Sequence, residues 1–499
     1  MDGLSFLLSN EPDPNCAAGL RQAHVVSADR TVWPARVQID DRHLTVRRLV
    51  CESGAVYVPW LVENFGDIIV HTTSLMERPE PYRFATELAR GQLNTVRNQC
   101  AEWEQNGLRV PELIRAGIKR AGASLRRAIL STDENDSERY ALEALSASLH
   151  VGEDLTATYA RRAVAARRRN RDSPVVLIDC VVRPDRLSAR SQKLYCDAFR
   201  HAMISPTWPE LELRQGERHW DPLDECVQWC TANGLSCTIG PLIEFRPQAL
   251  PDWLWLWEGE VSRMIGFMTE HVEQCVRRYA GKVRQWEIAA RANSAEILGL
   301  NEEQMLGIVA RLAETAAQTD PKAQRVLMID QPWGEYQATE DRTYSPFTFA
   351  NTLIRTGLPI NGLVLEVAMG YAPGGSYCRS LMDVSQMLDA YHEIDVPIQI
   401  RLSFPSGPLR GVVSGVSAAG FWHAEPDESV HARWLKRAVA IAMAKPFVYA
   451  VTCGCFHDQP KNAWPLSGLL TEDERPKPAY HHIRAICSKY SETDMGARS

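Results

Sequence analysis

The chain has 499 residues, 45% of them apolar and 23% charged, with a formal net charge of −7. This is the composition of an ordinary globular protein of two or three units, and its mild acidity argues against nucleic acid as the main partner. Thirteen cysteines cannot all pair within one chain, and the spacings Cys226, Cys230, Cys237 and Cys453, Cys455 fit no zinc pattern, so reduced, buried thiols are expected.

The start, "MDGLSFLLSNEPDPN", has an acid and a short apolar run where a signal peptide needs a basic segment and a longer apolar one. No apolar run is long enough for a membrane span. A cytoplasmic location is expected.

Residues 1–80 alternate short β-favouring runs with turn residues, as in "RTVWPARVQI" and "DIIVHTTSL", and predict a β-sandwich-like module. Residues 81–172 predict a helical segment, because "YRFATELARGQLNTVRNQCAEWEQ" and the two stretches after it carry apolar residues at three- and four-residue spacing. Its basic end, "RRAVAARRRNR", reads as a solvated face that complements the helix dipole. Over residues 173–490 eight short apolar strands, from "PVVLIDCVV" to "FVYAVTCGC", alternate with amphipathic helices. That alternation predicts an α/β fold, a C-terminal (β/α)8 TIM barrel whose chemistry sits at the C-terminal strand ends.

The strand ends carry Glu244, then Glu287 and Arg291, Asp330, Glu366, and Arg401. Loops beyond them supply Trp333, Glu335, Tyr336, Trp422, Asp458 and Trp464. Aromatic faces stack on sugar rings and carboxylates bind hydroxyls, so this set points to a carbohydrate cleft. Trp229, Trp286 and Trp434 lie within regular patterns and are expected in the core or walls. Absent are a P-loop, a GxGxxG unit, HExxH and GxSxG, and the histidines are dispersed. The sequence therefore predicts no cofactor and no metal.

Four segments carry a family resemblance: "FRHAMISPTWPELELRQGERHWDPLDECVQWCTANGLSCTIGPLIEF", "LPDWLW", "YAGKVRQWEIAARAN" and "LLTEDERPKPAYHHI". In order and spacing they resemble family 10 glycoside hydrolases of the endo-xylanase type, over about residues 175 to 490. The resemblance implies a β-linked sugar-chain ligand and glycosidic hydrolysis by two carboxyl groups about 5–5.5 Å apart. It places the family's Asn-Glu pair on Ala290 and Arg291, and its nucleophile on Arg401 or Leu402. The family histidine after the third strand is missing from "TIGPLIEF".

Arginine holds its proton far above neutral pH and is no glycosyl nucleophile. Three readings follow. An unorthodox hydrolase would use Glu287 and Glu366 as its catalytic carboxyls, with Arg291, Asp330, Trp333, Glu335, Tyr336, Arg401, Trp422, Asp458 and Trp464 binding substrate. A non-catalytic carbohydrate-binding pseudoenzyme would keep only the affinity. A structural or assembly scaffold would use the barrel as a frame. A charged residue inside a barrel needs a partner, so Glu366 also reads as an ion-pair partner of Arg291 or Arg401, and Glu287 as a partner of the same kind.

Overall fold

A computed structural model describes residues 3–48, 50, 52–170, 175–340, 342–409, 415–459 and 462–495. All eight expected barrel strands form: Leu177–Val182, His201–Ile204, Ser236–Ile239, Gln285–Ala290, Gln324–Asp330, Gly362–Ala368, Ile398–Ser403 and Val448–Cys453. Each pairs in parallel with its neighbours. The third closes the circle on the fourth through Thr238↔Gln285 and Ile239↔Trp286. A short extension, Ile243–Glu244, continues along the fourth strand. Parallel strands covered on both faces read as unbroken apolar runs, and nearly every residue of these strands is buried. A helix follows each strand. Ser188, Asn301, Ser345, Ser380 and Asp427 accept the first free N–H groups of five of them. Trp286 and Trp434 are fully buried, as their place in regular patterns predicts.

The strands ahead of the barrel fall into two sheets. One orders Ala35–Asp40, His43–Arg48, Leu4–Leu7 and Tyr82–Arg83. The other orders Gly66–Leu75, Gly54–Val62, His24–Val26 and Val32–Trp33, and it takes its last edge from the barrel. Phe421–Trp422, in the loop after the seventh barrel strand, pairs antiparallel with Gly66 and Asp67. Gly66 is required there: its φ is +131°, and a Cβ would stand 2.4 Å from the Phe421 carbonyl oxygen.

Helices Phe84–Gln105, Glu112–Leu130 and Glu134–Arg169 follow. The first lies close on the second sheet at Gly91, where a Cβ would meet the His71 carbonyl at 2.1 Å. The basic end of the third is more than a solvated face. Arg167 donates to the carbonyls of Met443 (2.8 Å) and Lys445 (2.6 Å), at the end of barrel helix Glu428–Ala444. The third helix thus docks along the barrel wall. The boundary expected near residue 172 falls on residues 171–174, outside the described residues. Among the described residues no helix is long and apolar enough to cross a membrane.

Candidate functional site

The fourth barrel strand ends at Ala290, and Arg291 takes a left-handed turn with φ of 63°. A non-glycine residue is held there only when its surroundings over-determine it. Three carboxylates do so. Arg291 donates Nε to Glu244 (3.1 Å), Nη1 to Asp330 (3.0 Å) and Nη2 to Glu366 (2.5 Å). Those acids stand beyond the third strand and at the ends of the fifth and sixth, so one guanidinium ties three staves of the barrel. The second Glu366 oxygen accepts the Trp464 indole N–H at 3.2 Å, and the Arg291 guanidinium lies 5.1 Å from the Trp464 ring. The second Asp330 oxygen accepts from Ser294 at 2.7 Å. Arg291 is only 8% exposed.

Directly paired residues of a parallel sheet point to the same face. Asp330 pairs with Glu366, Glu366 with Arg401, Arg401 with Thr452, and Thr452 with Asp179. One polar row therefore crosses five neighbouring strands. Arg401 reaches from this row to Glu287 on the fourth strand, Nη2 to Oε2 at 2.5 Å. Glu287 has no exposed surface, and its other oxygen has no hydrogen-bond partner among the described residues.

Electrostatics follow the geometry. Burial pushes the Glu287 carboxyl up against the pull of Arg401, and pushes Asp330 up against Arg291. Burial also raises Glu244, but Arg246 and Arg291 reverse it and leave that carboxyl below its ordinary value. Asp179, buried and opposed only by Thr452 and Arg401, is pushed up to about 7. Arg291 stays charged: burial disfavours its cation, and Glu366, Asp330 and Glu244 outweigh that.

Of the expected site residues, the fold brings Arg291, Asp330, Glu366 and Trp464 into one cluster, with Glu287 and Arg401 joined to it through the polar row. Glu244 completes the cluster, with Ser294 and Arg246 behind it. Ser294 lies three residues past Arg291 and Arg246 two past Glu244, so both were near in sequence; nothing in their types marked them.

Five of the expected site residues are engaged elsewhere, which corrects those expectations. Trp422 does not line the mouth. It is 1% exposed in the seam with the helical segment, where its indole N–H meets Glu153 at 2.6 Å beside His423 and Arg437. Asp458 is taken by Lys477 (2.5 Å) and the Gly468 N–H (2.7 Å), and clamps the loop after the eighth strand. Tyr336 is buried and braces the turn after the fourth strand by donating to the Asn293 carbonyl at 2.9 Å. Trp333 and Glu335 face the N-terminal sheet. Glu335 accepts from Arg379 (3.0 Å) and the Tyr377 N–H (3.1 Å), and Arg379 stands 5.0 Å from the Trp333 ring.

Residues 203–402 match glycosyl hydrolase family 10. The stretch is shorter than half the chain. Endo-1,4-beta-xylanase B of Thermotoga neapolitana is 22% identical over 296 residues, 56% of this chain and 77% of that protein. Endo-1,4-beta-xylanase 3 of Hypocrea jecorina is 28% identical over 167 residues, 32% of this chain and 45% of that one. Among solved structures, native xylanase 10B of Thermotoga maritima superposes with a TM-score of 0.49 at 16% identity, covering 66% of this chain and 99% of its own.

Proposed function

We propose that this chain is a glycoside hydrolase-like protein that takes β-linked, xylan-type oligosaccharides at the mouth of its barrel and holds them without cleaving them by the two-carboxylate route. The observation that carries this reading is the Arg291 cluster: one guanidinium bound to Glu244, Asp330 and Glu366 at the strand ends, beneath Trp464. Hydrogen-bonding groups beside an aromatic ring suit a sugar. The family match over residues 203–402 and the xylanase relatives support a xylan-type ligand. By the resemblance, Arg291 stands at the proton donor's position and Arg401 or Leu402 at the nucleophile's. Glu244, Asp330, Glu366 and Glu287 are engaged by those same arginines, so among the described residues of these strand ends no free carboxyl pair flanks a scissile bond.

A second reading, unorthodox hydrolysis, draws on Glu287, whose raised carboxyl suits a proton carrier. One experiment separates the two. Purified protein is incubated overnight with xylo-, gluco-, manno- and galacto-oligosaccharides and read by mass spectrometry, beside Glu287→Gln and Glu366→Gln. We expect intact oligosaccharides in every tube and binding by calorimetry. Shorter products that vanish in one variant would overturn the non-cleaving reading and name the carboxyl. Neither cleavage nor binding would leave the barrel as a scaffold.

A further inference from the structure

A cleft of about 660 Å³ lies away from the mouth, walled by three parts of the chain. The strand His24–Val26 and Tyr57 form one side, Gln99 of the helical segment an end, and Trp333, Arg379 and Gln386 of the barrel the other side. Its volume falls in the range of about 300–1,000 Å³ usual for small-molecule sites.

Its polar groups are specific. His24 is 3% exposed, and its Nε2 has no hydrogen-bond partner among the described residues. The Nδ1 side of the ring meets the Gln22 carbonyl at 3.3 Å, which a nitrogen satisfies only by donating. Burial holds the ring neutral, with its pKa lowered to about 4. Nε2 is then an acceptor without a donor on a ring that lines the cleft, and a buried acceptor without a donor costs stability. The ring is fixed by stacking on Tyr57, 5.8 Å between centroids, and Tyr57 in turn stacks on His71 at 4.8 Å. Opposite, Arg379 sits 5.0 Å from the half-buried Trp333 ring and 5.7 Å from the Tyr57 ring. Gln386 bridges to Gln99 at 3.0 Å and ties the barrel wall to the helical segment along the cleft.

Charge narrows the ligand. Five carboxylates and two guanidiniums line the cleft, which repels an anion. Arg379, buried in its wall, is held by Glu335 and adds no free charge, while the carboxylates are acceptors for hydroxyl hydrogens. A neutral molecule that donates hydroxyl hydrogens and presents an apolar face to an indole fits this lining. We propose that this cleft is a second carbohydrate site, in which a pyranose ring packs on Trp333 and donates a hydroxyl to His24 Nε2. It rests on its own residues and stands or falls separately from the mouth.

The test is calorimetric titration of the full chain with xylotetraose and with cellotetraose, using wild type, Trp333→Ala, Gln386→Ala and the mouth variant Trp464→Ala. Thermal melts check that each variant is folded. We expect Trp333→Ala and Gln386→Ala each to weaken one binding event at least tenfold while Trp464→Ala leaves that event unchanged. If one cleft variant does not fold, the other decides. Wild-type isotherms preserved in both cleft variants would overturn the proposal and leave the mouth as the site. Absence of heat with both tetrasaccharides would also overturn it, and the cleavage panel would then judge the mouth alone.

Discussion

Arg401 on the seventh barrel strand reaches across the barrel interior and holds Glu287 of the fourth strand at 2.5 Å. The two strands are not neighbours in the sheet, so the pair spans the lumen and not a strand seam. It is buried: Glu287 is inaccessible, Arg401 is 5% exposed, and among the described residues the Nε of Arg401 and one Glu287 oxygen lack partners. A pair of this kind depends on both members, because removing either one strands the other. Glu287→Gln and Arg401→Gln should each destabilise the fold by roughly 3 kcal/mol, and the double variant by clearly less than the sum, with a coupling of at least about 1 kcal/mol. Urea unfolding of the four proteins measures this, and additive losses would mean that the pair is not coupled.

Arg291 compensates three buried carboxylates at once. Arg291→Ala should cost about 3–5 kcal/mol, and Arg291→Lys should recover only part of it, since an ammonium lacks the planar fork that reaches three strands. Equal stability of the lysine variant and wild type would show that charge alone, and not the fork, holds the mouth.

Asp179 adds a pH dependence whose sign is fixed. Its carboxyl is raised from 3.8 to about 7 in the folded chain. Between those values the folded state keeps a proton that the unfolded state has lost, so this group's contribution falls as pH rises through that window and is level above it. The change is on the order of 4 kcal/mol at most. The stability of Asp179→Asn relative to wild type should therefore rise from pH 4 to 7 and then flatten. A difference that does not vary with pH in chemical denaturation would remove the argument.

Trp422 lies in the seam with the helical segment and not at the barrel mouth. Trp422→Phe should lower stability by about 1–3 kcal/mol, because buried Glu153 loses one donor. Oligosaccharide affinity should not move. A folded Trp422→Phe protein that binds sugar more weakly would return this tryptophan to the site.

The barrel was legible because its physics is local and repeated. Each strand is an apolar run bounded by turn residues, each helix has its own periodicity and cap, and eight such units in series leave one economical closure. Arg291, Asp330, Glu366 and Glu287 could be placed at or near strand ends for the same reason. That Glu366 would pair with Arg291 or Arg401 was also foreseeable, since opposite charges in a closed lumen must meet; the structure chose Arg291.

Register and docking were not legible. The row from Asp330 through Glu366, Arg401 and Thr452 to Asp179 exists because five strands align at those residues, and alignment is set by the whole circle. Trp422 reads in sequence like any loop tryptophan; an edge pairing with Gly66, more than three hundred residues earlier, buries it. Trp333, His24 and Gln99 lie in three separate stretches, and only packing brings them to one cleft. The sequence by itself determined which segments become strands and helices and which charges enter the barrel. The tertiary structure decided which charges neutralise one another and which aromatics face a cleft, because those outcomes rest on contacts between residues far apart in the chain.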